Sequence, residues 1–161
     1  MVQIQVYEGS RDVLDPLFAE ADDSESQIAG YKNLGEILVA VVDGNIVGQV
    51  LIAETDDPRT FEIKSLAVDE SWRSRGIGAA LVQAACAYCR QRRVSSVLVA
   101  TAAASIPALK FYQRQGFRIR HVIRDFYSPE RGYRPLELDG IPLLDEVILD
   151  RDLGSLSAAS V

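Results

Sequence analysis

Side chains that most often do metal or redox work are scarce in this chain. Its 161 residues include one histidine, two cysteines, one methionine and one tryptophan. Cys86 and Cys89 form a C-x-x-C string, but no second Cys pair or His pair is there to complete a zinc site. Both also fall deep inside an Ala-rich helical stretch rather than at a helix start, where a thiolate would be stabilised. They read as core residues. His121 has no sequence partner and reads as a strand residue, neither ligand nor base, so no metal is expected. Long hydrophobic runs are missing too, and none approaches the roughly 20 residues that cross a bilayer. The N-terminus, Met1 to Val6, alternates apolar and polar residues like a strand and lacks the basic segment and apolar core of a secretory signal. These absences point to a cytoplasmic protein without a membrane partner. Repeats, low-complexity tracts and linker-like stretches are lacking as well, so residues 1–161 read as a single domain.

What is there is a globular balance, 48% apolar and 25% charged residues. Strand patterns lie at 2–7, 36–42, 45–54, 60–68, 94–101, 117–125 and 143–149, and helical patterns at 11–21, 24–33, 76–93 and 105–115. Asp43-Gly44 joins the second and third strands, because glycine tolerates the positive φ of a tight hairpin turn. In the third helix Ile77, Leu81, Ala84, Ala85 and Tyr88 recur at helical spacing as a buried stripe. Early hairpin strands followed by β-α-β units imply a mixed α/β fold, a central mixed sheet of about seven strands flanked by about four helices.

Charge is unevenly spread. Residues 59–134 hold 14 of the 17 Lys and Arg but 5 of the 23 Asp and Glu, whereas residues 1–58 hold 2 basic and 12 acidic residues. The net charge of −6 thus hides a basic middle and acidic ends. A dense polyanion such as nucleic acid is not expected as a partner, but a small polyphosphate cofactor suits the middle.

The sharpest feature is a strand, a short loop and a helix. Phe61 to Val68 form the strand, Asp69 to Trp72 follow, and Arg73-Ser74-Arg75-Gly76-Ile77-Gly78 opens the helix. Glycines at 76 and 78 keep the backbone bare where unpaired N–H groups and the helix dipole can meet phosphate oxygens, with Arg73 and Arg75 beside them. A nucleotide P-loop is excluded by the missing Lys-Ser/Thr ending, and a dinucleotide fingerprint by Leu81 in place of its third glycine.

This segment resembles the GNAT acetyltransferase superfamily, whose signature is Q/R-x-x-G-x-G/A after a strand ending in an apolar-Ala-Val-type sequence, here Leu66-Ala67-Val68. A second segment, Ala108 to Phe117, is similar to that family's A-x-x-F-Y-x-x-x-G-F, a helix stopped by glycine and followed by a strand. The resemblance implies the GNAT fold with a mostly antiparallel sheet, acetyl-coenzyme A as cosubstrate, and acetyl transfer to an amine. It implies cofactor contacts from Leu66, Ala67 and Val68 on the strand and from Arg73, Ser74, Arg75, Gly76, Ile77 and Gly78 in the loop. Less specifically, Val99 to Ile106 resembles a bacterial, aminoglycoside-type branch with a T-G-N-S-S-type sequence, although Ala102, Ala103 and Ala104 stand where Gly, Asn and Ser are usual. Asp139 to Val147 resembles that branch's final hairpin.

Within this resemblance Tyr112 takes the role of the acid that protonates the departing thiolate, the other reading of Phe111-Tyr112 being core packing. Glu62 lies 11 residues before Arg73, the register of the base glutamate in the family's histone-modifying branch. It is the candidate base, directly or through water, with a strand-end carboxylate paired to Lys or Arg as the alternative. Period-2 alternation puts Glu62 on one face with Lys64, Leu66 and Val68. A backbone N–H near Ala67 or Val68 is expected to hold the oxyanion. Glu20, Asp22, Asp23 and Glu25 fall on the family's acceptor side and favour a positively charged small-molecule amine, an aminoglycoside or polyamine. Protein lysines or N-termini, and a non-catalytic acyl-coenzyme A sensor with the same fold, stay open; a thioesterase is disfavoured by the single histidine. The oligomeric state is open, with a homodimer among the expectations because family members are often dimers.

Overall fold

The run Glu36–Val42 shows no polar alternation, and the computed structural model, which describes residues 1–154, explains it by position. This strand, β2, lies between β1 (Gln3–Val6) and β3 (Asn45–Glu54), with both faces covered. Ile37 and Val39 enter one apolar cluster with Leu14, Leu17 and Phe18; Leu38 and Ala40 enter the other with Leu81 and Ala85. A strand buried on both faces reads as a continuous apolar run.

The sheet continues through β4 (Thr60–Val68), β5 (Ser96–Ala102) and β6 (Arg118–Ile123), and after a small ribbon of β7 (Glu137–Leu138) and β8 (Ile141–Pro142) it is completed by β9 (Glu146–Asp152). The seven-stranded order is β1-β2-β3-β4-β5-β9-β6, with β4–β5 the parallel pair and the other neighbours antiparallel. Helices α1 (Asp15–Ala21) and α2 (Glu25–Tyr31) cover one face; α3 (Ile77–Gln91) and α4 (Ile106–Arg114) cover the other. This matches the expected mixed, mostly antiparallel sheet of seven strands with four helices. Among the described residues no helix is long and apolar enough to cross a membrane.

Three local differences from the sequence reading have physical causes. The helix expected over 11–21 splits into a single 3-10 turn, Arg11–Leu14, and α1, because Pro16 lacks the N–H a continuous helix would use and sits best at a helix start. The strand expected at 143–149 runs instead over 146–152: Leu143 is buried ahead of it, while Asp150, Arg151 and Asp152 stay in register with Leu98, Val97 and Ser96. The buried stripe of α3 runs through Ile77, Leu81, Val82, Ala85, Cys86 and Cys89, with Ala84 and Tyr88 at its margin. Both thiols are therefore buried and free, and burial pushes them up, Cys89 to about 12.

The fourth difference bears on the site. Ser65 pairs with Leu51 and Ile63 with Ile52, so Lys64 is an extra residue bulged out of β4. Phe61 and Ile63 pack on the α3 side before it, and Leu66 and Val68 after it. The faces have exchanged. Glu62 shares a face with Lys64, as expected, but not with Leu66 and Val68.

Candidate functional site

Parallel pairing of β4 with β5 runs from Thr60↔Ser96 to Ile63↔Val99 and stops. Beyond that point β4 follows β3 while β5 follows β9, up to Ala102↔Glu146, and the two strands splay apart. Asp69 N–H bonds Val47 O at 2.8 Å, which by antiparallel alternation commits Ala67 to Gln49 and leaves the N–H groups of Leu66 and Val68 on the open edge. Ala67 therefore offers no free backbone N–H, contrary to the sequence reading, and Val68 is the better placed of the two. The splay opens two cavities, and Leu66 lines both.

The first, a cleft of about 590 Å³, is lined by Leu66, Ala67, Val68, Arg73, Ser74, Gly76, Ile77 and Gly78 from the strand and loop, and by Lys110, Phe111 and Arg114 from α4. Every expected cofactor residue except Arg75 is there. Arg75 stacks instead on Trp72, its guanidinium 4.6 Å from the ring centroid. Arg73 donates from Nε to Val68 O at 3.1 Å and pairs with Glu20. Gly76, at φ 79°, caps α3 without any side-chain hydrogen bond, and a Cβ there would meet no atom within 4 Å. The first N–H groups of a 15-residue helix thus have no side-chain cap, and nothing crowds the backbone at Gly76. With Lys110 and Arg114 alongside, the cleft suits a pyrophosphate-bearing ligand. Those two basic residues escaped sequence reasoning, although their spacing on the Phe111-Tyr112 helix was available.

The second cavity, about 510 Å³, lies on the other side of Leu66. Its carboxylates are Glu20, Asp22, Asp23, Glu62 and Glu146, against one cation, Lys64. Glu25, expected on this rim, is exposed on α2 and does not line the cavity. The roof comes from the segment after β6, which sequence reasoning missed. Phe126, Tyr127 and Tyr133 pack edge to face, Tyr127 and Tyr133 with centroids 4.9 Å apart. Tyr133 and Tyr31 donate to the two oxygens of Asp22 at 2.9 and 3.2 Å, and Ser24 Oγ donates to Arg131 O at 2.8 Å. Gly132 is required at that junction: its φ is 85°, and a Cβ would strike the hydroxyls of Ser24 and Ser26. Burial, then the Asp22 charge, hold the Tyr31 and Tyr133 phenols well above their usual range, so both remain neutral donors.

Tyr112 lines this same cavity from α4, its ring edge-on to Phe111 and Phe117 at 5.0 and 5.6 Å. Burial alone pushes its hydroxyl up, which keeps the proton on it at neutral pH. Glu62 reaches the cavity floor with Oε2 2.8 Å from Lys64 Nζ. Glu146, at the start of β9, is 6% exposed; burial first and the Glu62 charge second push its carboxyl up to about 7. His121 lies exposed on β6, away from both cavities. No cluster of three or more metal-ligating side chains occurs among the described residues.

A splayed parallel pair with an uncapped helix start on one side and an acid-lined cavity on the other defines a group-transfer enzyme with an anionic donor. The chain belongs to the acetyltransferase (GNAT) family, whose model matches residues 6–117. It is 31% identical over 152 residues to the uncharacterized N-acetyltransferase YvbK of Bacillus subtilis, covering 94% of this chain and 97% of that protein. A GNAT family acetyltransferase from Elizabethkingia anophelis, solved with acetyl-CoA bound, superposes with a TM-score of 0.87 at 26% identity over 94% of this chain and 97% of that one. A shorter match, 32% over 99 residues, is to N-acetylaspartate synthetase of Danio rerio, covering 62% of this chain and 35% of that protein. The protein is an acetyl-CoA-dependent N-acetyltransferase.

Proposed function

We propose that the acetyl group goes to a cationic small-molecule amine, of the aminoglycoside or polyamine kind. The observation that carries this reading is the lining of the second cavity, five carboxylates against one lysine. Arg73 engages Glu20 and Lys64 engages Glu62, so Asp22 and Asp23 carry most of the negative field, and Glu146, its carboxyl at about 7, adds to it as pH rises. Tyr127 and Tyr133 add aromatic walls suited to a cation. The partial likeness to an enzyme named for an acidic product favours an amino-acid acceptor instead. Against it, an α-carboxylate would enter this lining with a single lysine to meet it.

In this reading the α3 start, Lys110 and Arg114 hold the phosphates, and the free edge of β4 at Leu66 and Val68 holds the pantetheine arm. Acetyl-CoA supplies the thioester carbonyl that the amine attacks. The Leu66 N–H, on the free-edge residue that lines both cavities, donates to that carbonyl oxygen as charge develops on it. Glu62, directly or through water, takes a proton from the nitrogen as the new bond forms, and Tyr112 donates its proton to the departing sulfur.

The test is free-thiol release from acetyl-CoA with spermidine, kanamycin, L-lysine, L-aspartate and a short peptide, each at low and moderate salt. Amine-dependent release should be fastest with spermidine or kanamycin and should weaken with salt. Aspartate as the preferred acceptor would overturn the cationic reading. Acetyl-CoA binding without release for spermidine or kanamycin would equally overturn it.

A further inference from the structure

Acetylation of an ammonium removes two protons from nitrogen before the amide is complete. One must leave before attack, since the ammonium has no lone pair; the second leaves as the C–N bond forms. The proposed mechanism gives Glu62 the second proton and Tyr112 the delivery of one proton to sulfur. Nothing in it yet accounts for the first.

We propose that Glu146 receives the arriving ammonium and takes this first proton, leaving the free amine in place for attack. This rests on the cationic-acceptor reading and adds a second proton-handling carboxylate to it. Glu146 is 6% exposed, yet it lines the acceptor cavity just where β9 holds the splayed end of β5. Burial and like charge dominate its surroundings, Lys64 and Arg131 offset them only in part, and among the described residues no hydrogen bond or ion pair forms to its carboxyl. Glu62 differs: its carboxylate is held by Lys64 at 2.8 Å. A buried carboxyl without a partner, open to a cavity, is incomplete until a cation or proton joins it.

The charged and titratable groups facing Glu146 are Glu62 and Lys64 from β4, Arg131 and Tyr127 from the roof, and Asp22 from the end of α1. Burial and Glu62 outweigh Lys64 and Arg131, so the carboxyl sits at about 7 rather than at its ordinary 4.5. A primary alkylammonium has a pKa of about 10.4. The carboxyl is therefore a closer match to that ammonium than an ordinary carboxylate would be, which eases passage of the proton within the encounter. The proton then leaves Glu146 through the open cavity to water. The balance closes: ammonium and thioester give amide, thiol and one released proton.

The test uses Glu146→Gln with spermidine as acceptor. In the parent, log kcat/KM should rise with pH and level off near 7. In E146Q it should fall by at least about 100-fold at pH 7, within the general-base range, and recover toward the parent by pH 9.5, where solution supplies free amine. A deficit equal at all pH values, or none, overturns the proposal. Spermidine binding read independently by 13C NMR of glutamate-labelled protein gives a second decision. One carboxyl should titrate near neutral pH, vanish in E146Q, move down in Glu62→Gln, and shift on spermidine addition without acetyl-CoA. If no carboxyl behaves so, the assignment falls even where turnover survives. If that carboxyl responds to spermidine but the parent acetylates no amine, the assignment of Glu146 as ammonium receptor stands and the transferase reading for this acceptor fails.

Discussion

Gly78 offers a perturbation in which stability and cofactor affinity should move in opposite directions. It is the second residue of α3, with no positive φ to demand glycine. A Cβ there would lie 3.4 Å from the Phe111 ring and 3.9 Å from Val68 Cγ2, ordinary contact with two walls of the cofactor cleft. Gly78→Ala should thus fit the apo protein. Removing a helical glycine stabilises by roughly 0.5–1 kcal/mol, with the lower end apt so near the helix start. At about 2–4 °C per kcal/mol for a chain of this size, Tm without ligand should rise by about 1–2 °C. The same methyl occupies space at the helix start that phosphate oxygens would approach. Acetyl-CoA at 100 times its Kd should raise the parent's stability by about 2.7 kcal/mol, roughly 5–11 °C. A tenfold weaker Kd removes about 1.4 kcal/mol of that, so the variant's shift at the same concentration should be about half. Differential scanning fluorimetry with and without acetyl-CoA reads both numbers. An undiminished ligand shift in a well-folded Gly78→Ala protein would refute the loop as the place where the phosphates meet bare backbone.

Three further outcomes follow from the same geometry. Tyr112→Phe keeps both aromatic contacts and should lower kcat by about 10²–10⁴-fold in the thiol-release assay with little change in acetyl-CoA affinity. Asp23→Asn should raise KM for spermidine a few-fold and flatten its salt dependence, leaving acetyl-CoA kinetics near the parent's; equal KM values at both salts would deny the rim a role. For stability against pH, Glu146 has its folded pKa raised from 4.5 to about 7. Its contribution is therefore present below about 4.5 and lost as pH rises through 7, on the order of 3 kcal/mol. Urea unfolding should show E146Q gaining on the parent between pH 5 and 8, and parallel curves would rule out a carboxyl perturbed in this way.

Local signals in the chain were legible and proved structural: the Asp43-Gly44 turn, whose residues both take positive φ, the glycine-marked start of α3, and the helix carrying Phe111 and Tyr112. Eight of the nine expected cofactor positions fall on one cleft because they lie close in sequence, on the end of β4 and the short connection that leads into α3. What could not be read depends on partners distant in the chain. Lys64 is bulged only because β3 and β4 slip by a residue, and period-2 alternation drawn from β4 alone carries no trace of it. Glu146 looks like an ordinary acidic residue before a strand. Its burial arises because β9 inserts between β5 and β6 and brings it toward Glu62, a placement set by topology rather than by neighbours. The sequence places Glu20 in an acidic rim but carries no sign that Arg73 from the cofactor loop engages it.

The two cavities draw on different stretches of chain. The cleft is built from residues between 66 and 79 and between 107 and 115, whereas the acid-lined cavity takes its distinguishing groups from 20–31 and 126–146. The two latter stretches are latched to each other through Asp22 with Tyr133 and Ser24 with Arg131, outside the strand–loop–helix that forms the cleft. Altered specificity can therefore arise as a matched exchange of these two stretches, provided Glu20, which pairs with Arg73 of the donor loop, is kept. A single-loop graft from a relative would leave one half of that latch without its counterpart, so acceptor range in this scaffold should be transplantable in pairs and not piecemeal.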